Sequence, residues 1–201
     1  MKERINTVVF DIGNVLAGFD WQSYLSQFGF SKEIASRIAK ATFLSDNWKE
    51  VDRGVKPDKE IYEDCLKEVP DLEQELLKVW AGRATIVKEY EYATEWILSL
   101  KRKGLSVYLL SNYGKTPFEA AKKTFSFFQY VDGMVISYEV KHIKPEPEIY
   151  QELMRRFQIV PKETVFIDDI RENLKAAEEF GISTILFTSK EDVQKHLDFM
   201  I

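Results

Sequence analysis

Cysteine and histidine are scarce in the 201-residue sequence, and their scarcity excludes several kinds of site. Cys65 is the single cysteine, so the chain cannot form an internal disulfide bond. It has helical surroundings and no histidine near it in sequence, which favours a structural thiol over a nucleophile. His142 and His196 are too far apart in sequence to form a metal-binding pair of the usual spacing.

Long apolar runs and an excess of positive charge are missing as well. No stretch approaches the ~20 apolar residues of a membrane span, and the short N-terminal apolar run is broken by Asp11, unlike a signal peptide. The formal net charge of −5 argues against general nucleic-acid binding, which requires a basic surface. We therefore expect a cytoplasmic protein with no membrane and no nucleic-acid partner; the sequence indicates no particular oligomeric state.

Short runs of β-branched and apolar residues predict five strands. Each run is apolar on both faces, which is typical of buried parallel strands. Helical patterns lie between the later runs, and two of them end at Gly104 and Gly181. Strands that alternate with helices predict an α/β fold with a doubly wound, Rossmann-like parallel sheet. The runs are residues 7–10, 106–111, 164–168, 183–187 and the weaker 133–137.

Residues 18–88 differ, because they contain three helix-like segments and no convincing strand. We predict that they form an all-helical cap domain inserted after the first strand, and that residues 1–17 and 89–201 form the α/β core domain. Such an insert lies over the carboxyl edge of the sheet, where ligands bind in this class of fold. The cap includes DRG at 52–54, a candidate substrate-facing turn, and aromatic residues that we interpret as its own core. These aromatic residues are Trp21, Tyr24, Phe28, Phe43 and Trp48.

Chemically active side chains stand where the predicted strands end. Because the carboxyl ends of parallel strands meet at one edge, we expect these groups to converge on one crevice. Clustered carboxylates repel each other unless a cation lies among them, and an all-oxygen ligand set suits Mg²⁺. A lysine, a hydroxyl and backbone N–H groups suit a phosphoryl group. The residues concerned are Asp11, Ser111, Asn112, Lys144, Asp168 and Asp169.

Each of these residues also has an ordinary interpretation. A strand-end aspartate commonly forms a turn or caps a helix, and an isolated lysine such as Lys144 is commonly a solvated surface residue. Asp168 and Asp169 could cap the helix predicted after them. Taken together and in this order, however, the residues favour phosphoryl transfer, in which a metal ion and a lysine stabilise negative charge while a carboxylate attacks.

Four motifs of the chain resemble those of the haloacid dehalogenase-like hydrolase superfamily. They are VVFDIGNVL, VYLLSN, IKPEPEIY and VFIDDIRENLKAA, and the resemblance extends over essentially the whole chain, including the cap. The DxGNV form of the first motif is similar to the branch that includes bacterial sugar-1-phosphate phosphatases. The resemblance implies a Mg²⁺-dependent phosphatase that forms an aspartyl-phosphate intermediate. Its implied substrate is a small phosphorylated metabolite, with sugar phosphates as one candidate class.

The resemblance also implies a set of metal ligands. Asp11 would be the nucleophile and a Mg²⁺ ligand, and the carbonyl group of Gly13 would be a second ligand. Asp169 would bind the metal directly, and Asp168 would bind it directly or through water. Asn173 would bind a metal-bound water or orient the lysine of the third motif.

The same resemblance implies that a second set of residues binds the phosphoryl group. The Ser111 hydroxyl and the Asn112 N–H would hold its oxygens, and the backbone turn at Gly13 would lie close to it. Lys144 would neutralise both the nucleophile and the phosphate.

Gly13 departs from the usual pattern of the family. Most phosphatases of this kind carry aspartate at this position, where it protonates the leaving oxygen and then activates water. Glycine has no side chain for this role, and general acid–base assistance contributes roughly 10²–10⁴-fold to a rate. Asp20 is close in sequence and is a candidate substitute; its alternative interpretation is a cap for the helix that begins near Trp21.

Two other functions stay open. A 2-haloacid dehalogenase would use the same aspartate nucleophile without a metal, but the acidic sequence FIDD favours the phosphatase because those carboxylates would then have no counter-ion. A catalytically weak protein that binds or senses a phosphorylated ligand is the second alternative, and Gly13 is the best argument for it. A purely structural protein would leave the acidic groups at the strand ends without an explanation.

Overall fold

The computed structural model describes residues 4–201 and contains seven strands in that range. They are β1 (Thr7–Phe10), β2 (Ala17–Phe19), β3 (Val87–Glu89), β4 (Ser106–Ser111), β5 (Gly133–Ile136), β6 (Thr164–Asp168) and β7 (Ser183–Leu186). The five predicted strands are confirmed, and β5 and β7 each end one residue earlier than the sequence pattern predicts.

Eleven α-helices complete the described range, together with short 3₁₀ turns. Five precede β3: α1 (Trp21–Ser26), α2 (Lys32–Ala41), α3 (Asp46–Arg53), α4 (Asp58–Glu68) and α5 (Glu73–Gly82). Six follow it: α6 (Ala93–Arg102), α7 (Lys115–Thr124), α8 (Ser137–Val140), α9 (Pro147–Phe157), α10 (Arg171–Glu178) and α11 (Lys190–Asp198). No helix within residues 4–201 combines the length and the apolar character needed to cross a bilayer.

The main sheet has the strand order β5-β4-β1-β6-β7, and every pair in it is parallel. Strand β1 is central, with Phe10 opposite Leu109 of β4 and Ile167 of β6. The chain therefore builds one half of the sheet outward from β1 and then returns to build the other half. This reversal of strand order leaves a crevice at the carboxyl ends of β1 and β6, and the α/β doubly wound fold is confirmed.

Apolar side chains of the sheet alternate between two buried layers. In β1, Val8 and Phe10 join a cluster with Trp96 of α6 and Phe118 of α7, whereas Val9 faces a second cluster on the other side of the sheet. The strand is fully buried because both faces are covered. A strand held in this way positions the residue that follows it, Asp11.

A third cluster of buried side chains belongs to helices α1–α5. Tyr24 and Phe43 are buried in it, and Trp21, Phe28 and Trp48 pack against it. These aromatic residues therefore form the core of this helical region, as predicted.

The helical region is joined to the rest of the chain by two strands that the sequence does not reveal. Residues 17–19 and 87–89 pair as antiparallel strands β2 and β3, so the prediction that residues 18–88 contain no strand is wrong at both ends. Each strand has only three residues and depends on a partner far away in sequence, which leaves little local pattern to recognise. The proposed domain limits, 1–17 with 89–201 and 18–88, fall within this ribbon and stay a prediction.

The lone cysteine lies in the helical region, as its sequence context predicts. Cys65 is fully buried in α4. Burial raises the pKa of its thiol to about 12, with a smaller contribution from the neighbouring Asp64. A thiol that stays protonated at neutral pH is a poor nucleophile, so the environment of Cys65 supports a structural role.

Candidate active site

A buried lysine joins two carboxylates at the carboxyl ends of β1 and β6. Lys144 Nζ lies 3.0 Å from Asp11 Oδ1 and 2.7 Å from Asp168 Oδ2. The three residues are only 3%, 7% and 0% exposed, respectively. Parallel pairing of β1 with β6 brings the two aspartates side by side, and the loop after α8 carries the lysine over them. Three predicted site residues therefore meet, as the strand-end argument expects.

Asp168 is held rigidly by its neighbours. Its Oδ1 accepts a hydrogen bond from the backbone N–H of Ile170 at 2.7 Å, and Asn173 Nδ2 donates to both carboxylate oxygens at 3.1 and 3.0 Å. Asn173 lies in the first turn of α10. Its side chain thus contacts the partner of Lys144, so any effect on the lysine passes through Asp168.

Asp11 and Lys144 influence each other's protonation. Burial raises the pKa of Asp11 to about 6; Lys144 acts in the opposite direction and Asp168 adds to the increase. For Lys144, burial alone would lower the pKa, but the two aspartates outweigh it and the net pKa is raised. The lysine is therefore a permanent positive charge between two carboxylates.

Asp169 faces the same crevice and is oriented by Asn14. Asn14 Nδ2 donates to Asp169 Oδ2 at 3.0 Å, while Asn14 Oδ1 accepts from the Phe19 backbone N–H at 3.2 Å. Burial raises the pKa of Asp169, which the Asn14 hydrogen bond partly offsets. Asn14 is part of the DxGNV motif, but the motif assigns no role to it. The sequence feature that could have indicated its role is an asparagine directly after Gly13. Asparagine tolerates the left-handed backbone conformation that Asn14 adopts, with φ of 55°.

The three aspartates form an arrangement suited to a hard cation. Asp11, Asp168 and Asp169 each offer a carboxylate oxygen, and these oxygens all lie within 4.8 Å of one another. Such an oxygen set matches the ligands preferred by Mg²⁺. Gly13 lines the cavity beside them. The residues present therefore fit the metal ion that the sequence motifs imply.

Ser111 and Asn112 follow β4 on the opposite side of Asp11. The Ser111 hydroxyl is buried, has no hydrogen-bond partner of standard geometry among residues 4–201, and is close enough to lower the pKa of Asp11. Asn112 and Lys144 exchange two hydrogen bonds, from Asn112 Nδ2 to the Lys144 carbonyl at 3.0 Å and from the Lys144 N–H to Asn112 Oδ1 at 2.7 Å. The Asn112 side chain therefore positions the lysine loop, and the Ser111 hydroxyl is left available for a ligand.

Asp20 is separate from this cluster. It precedes α1, and its carboxylate accepts a hydrogen bond from the Ser23 backbone N–H at 2.8 Å. The residue is exposed and does not line the cavity above Asp11. Its observed role is that of a helix cap, which matches the alternative interpretation, and the geometry gives no support to an acid–base role.

A cavity of about 210 Å³ lies above the carboxylates. The sheet side contributes the clustered aspartates and the lysine, and the helical region contributes Trp48, Asp52 and Arg83. Arg83 is buried, stacks on Trp80 at 4.4 Å from the ring centroid, and donates to the Trp80 carbonyl at 2.6 Å. The cavity therefore combines anionic, cationic and aromatic walls around a small volume.

Asp52 is the acidic residue that the helical region adds to the cavity. Its position is half-buried, and desolvation raises its pKa to about 7. The charge of Asp11 adds to the increase, whereas the adjacent Gly114 backbone N–H and the charge of Lys144 reduce it. A carboxyl group with this pKa exchanges its proton near neutral pH, which is unusual for aspartate.

We expect Asp52→Asn to stabilise the protein at pH 8. The unfolded carboxyl titrates near 3.9 and the folded one near 7, so stability falls as pH rises between these values. Removing the charge should increase the free energy of unfolding at pH 8 by about 1–2 kcal/mol. A pKa shift of ~3 units corresponds to ~4 kcal/mol, but Asp52 is only half-buried and solvent screens part of this energy. Urea unfolding in EDTA at pH 5 and pH 8 measures this, and the gain should be smaller at pH 5.

Asp46→Asn is the matched control for that experiment. Asp46 lies on the same helix, and its side chain is 91% exposed. Its replacement should change the free energy of unfolding by less than about 0.5 kcal/mol. An Asp52→Asn protein that is no more stable than the wild type at pH 8 would contradict the high pKa of Asp52.

Comparison with known proteins gives this geometry a family context. A sequence profile of the haloacid dehalogenase-like hydrolases matches residues 5–181. The chain belongs to this hydrolase family. The match spans β1, the helical region, β4 and β6, and thus covers every residue of the carboxylate–lysine cluster.

Two relatives of this hydrolase are phosphatases by name. It is 27% identical over 213 residues to a D-ribitol-5-phosphate phosphatase of Bacteroides thetaiotaomicron, with 98% of each chain covered. It is 24% identical over 183 residues to a sesquiterpene phosphatase of Aspergillus oryzae, covering 90% of this chain and 89% of the relative. Both similarities extend over nearly the full length of the proteins compared.

Solved structures of the family share the architecture. A Bacteroides thetaiotaomicron enzyme crystallised with magnesium and inorganic phosphate superposes with a TM-score of 0.74 at 26% identity, covering 96% of this hydrolase and 98% of that chain. The L-2-haloacid dehalogenase of Xanthobacter autotrophicus gives a TM-score of 0.68 at 18% identity, covering 97% and 83%, respectively. The second comparison indicates a common fold only.

Proposed function

We propose that this hydrolase is a Mg²⁺-dependent phosphatase that acts on a small phosphorylated metabolite through an aspartyl-phosphate intermediate. The observation that carries the proposal is the buried cluster in which Lys144 contacts Asp11 and Asp168 while Asp169 faces the same crevice. Buried carboxylates at this density require positive charge. One lysine supplies part of it, and a divalent cation bound by the aspartates would supply the remainder.

Asp11, Asp169 and the carbonyl group of Gly13 would hold the metal ion. Asp168 would bind it directly or through water, and the hydrogen bonds that Asp168 already accepts from Asn173 and Ile170 favour the indirect arrangement. When bound, Mg²⁺ would supply Lewis-acid stabilisation of phosphoryl oxygens. The magnesium and phosphate found together in the Bacteroides enzyme structure support this assignment.

Asp11 would act as the nucleophile. One of its carboxylate oxygens attacks phosphorus as the bond to the leaving oxygen breaks, and water then attacks the same phosphorus and frees the carboxylate. The contact from Lys144 holds Asp11 in place and stabilises the negative charge that develops on the phosphoryl oxygens. The Ser111 hydroxyl, the Asn112 N–H and the turn at Gly13 would bind those oxygens.

A sugar or polyol phosphate is the substrate class that we favour. The DxGNV motif and the similarity to a D-ribitol-5-phosphate phosphatase support it. The small volume of the cavity also favours a metabolite over a protein or nucleic-acid substrate.

We expect Mg²⁺-dependent release of phosphate from p-nitrophenyl phosphate and from D-ribitol 5-phosphate. EDTA should reduce the rate by at least about 10²-fold, because a Lewis-acidic ion contributes several kcal/mol to phosphoryl transfer, and added Mg²⁺ should restore it. A phosphate-release assay measures both effects.

Two results would contradict the phosphatase. Metal-independent chloride release from 2-chloropropionate would identify a dehalogenase. Phosphate-ester binding in calorimetry, without phosphate release in the presence of Mg²⁺, would identify a ligand-binding protein. The missing acid–base side chain at Gly13 would then explain the lack of turnover.

A further inference from the structure

The cavity lacks an acid–base group at the position where the first motif would usually provide one. Gly13 has no side chain, and Asp20 caps a helix elsewhere. A phosphatase still needs a proton for an alkoxide or phenoxide leaving group, and a base for the water that hydrolyses the intermediate. A substitute must therefore come from another wall of the same cavity.

Most titratable residues that line the cavity either have another role in the site or cannot act as a base near neutral pH. Lys144 is paired with the aspartates of the sheet. Asp169 is bound by Asn14 and belongs to the metal-binding set. Burial raises the pKa of Tyr113 far above neutrality, so it cannot act as a base there. Arg83 has no basic form available at neutral pH. Among the described residues, Asp52 is left.

We propose that Asp52 of helix α3 is the general acid and base of the reaction, in place of a side chain at residue 13. This inference rests on the proposed phosphatase function. Asp52 lines the cavity together with Asp11, Gly13 and Lys144, and it comes from helix α3, whereas Asp11 directly follows strand β1 of the main sheet. A substrate whose phosphoryl group meets Asp11 would therefore occupy a cavity in which Asp52 is available to its leaving oxygen.

The backbone around Asp52 is fastened to the core. The Ser137 hydroxyl donates to the Asp52 carbonyl at 2.6 Å, and the same hydroxyl accepts from the Tyr113 N–H at 2.9 Å. Arg53 makes two contacts with Glu146, at 2.6 and 2.8 Å. These contacts fix the end of α3 against the loops that carry the proposed phosphate-binding residues, as a catalytic side chain requires.

A glycine two residues after the second motif allows this close approach. A Cβ atom at Gly114 would lie 2.5 Å from Val51 Cγ1 and 3.1 Å from the Val51 carbonyl oxygen, so a larger residue would displace α3. The contact places Asp52 beside the turn that follows Ser111. Helix α3 therefore packs directly against the loop that follows β4.

The proton balance of the two steps is complete with Asp52 alone. Its protonated carboxyl group gives the proton to the leaving oxygen while Asp11 forms the new bond to phosphorus. The resulting Asp52 carboxylate then accepts a proton from water as the water oxygen attacks phosphorus and the Asp11–phosphorus bond breaks. Inorganic phosphate leaves, and Asp52 is protonated again. The raised pKa of Asp52 supports this cycle near neutral pH.

The test compares two aryl phosphates of similar shape, phenyl phosphate and p-nitrophenyl phosphate, whose leaving groups differ in basicity. In Asp52→Asn, we expect the rate of phospho-enzyme formation, measured by rapid quench with Mg²⁺, to fall at least ~10²-fold with phenyl phosphate. With p-nitrophenyl phosphate the fall should be less than ~10-fold, because p-nitrophenolate needs little protonation. Asp46→Asn should behave like the wild type with both substrates.

A second variant separates catalysis from structure. A Cβ atom at residue 13 is accommodated, since it would meet only Asp11 Oδ2, at an ordinary 3.9 Å. Gly13→Asp introduced into the Asp52→Asn protein should therefore recover at least ~10-fold of the lost rate with phenyl phosphate. Equal slowing of both substrates, no slowing, or no recovery in the double variant would overturn the role of Asp52. If the wild type released no phosphate at all, the proposed function would fail instead.

Discussion

Asp11→Asn should abolish phosphate release. The amide cannot form an aspartyl phosphate, and loss of a catalytic nucleophile typically costs ~10⁴-fold or more. We expect a decrease of at least that size with p-nitrophenyl phosphate in the presence of Mg²⁺, and no trapped phospho-enzyme after acid quench. The substitution keeps the size of the side chain, and its Oδ1 can still accept from the Ile12 N–H that now donates at 2.7 Å.

The control for this variant is Asp198→Asn at the end of α11, far along the chain from the cluster. Its rate should equal that of the wild type. Far-UV circular dichroism and thermal unfolding should show that Asp11→Asn is folded. Equal residual activity in Asp11→Asn and in the wild type would refute the nucleophile assignment and leave the hydrolase without its proposed mechanism.

Lys144→Met should damage both activity and stability. The variant leaves Asp11 and Asp168 buried without their common cation, and breaking a buried ion pair from one side costs about 3–5 kcal/mol. The rate should fall ~10³-fold, because charge on the phosphoryl oxygens loses a fixed positive partner. Urea unfolding in EDTA and the Mg²⁺-dependent phosphate-release assay measure the two effects.

Lys195→Met is the matched control. Lys195 is an exposed lysine on α11 that pairs with Asp192 at 3.5 Å. Exposed pairs of this kind contribute ~1 kcal/mol or less, so its loss should leave both assays nearly unchanged. Comparable stability of the two variants would mean that Lys144 does not hold the aspartates together.

The strands of the main sheet are predictable because burial on both faces leaves a clear pattern. Residues 7–10, 106–111 and 164–168 form β1, β4 and β6 with the predicted limits. The meeting of Asp11 with Asp168 then follows from parallel pairing alone. By contrast, β2 and β3 are three residues each, and only their distant partners make them strands.

Residues that depend on loop path or on docking of the helical region are harder to predict. The hydrogen bond from Asn14 to Asp169 requires a residue with a left-handed backbone in the turn after β1. The hydrogen bonds between Asn112 and Lys144 join two separate loops. Asp52 belongs to the DRG segment that is predicted to face the substrate, and it lines the cavity, but it lies in the last turn of helix α3, which packs against Gly114. No periodicity in the sequence encodes such contacts, whereas the strand-end rule finds every acidic residue of the sheet side.

The ribbon of β2 and β3 has a consequence for how enzymes of this architecture diversify. It makes the two ends of the insert hydrogen-bonded neighbours, so the length of the intervening chain adds little loop-closure entropy to the sheet. Helices α1–α5 could be exchanged as a cassette without moving the nucleophile or the lysine. Because Asp52 lies on α3, replacing helices α1–α5 would change the substrate-contacting residues and the proposed proton donor at the same time.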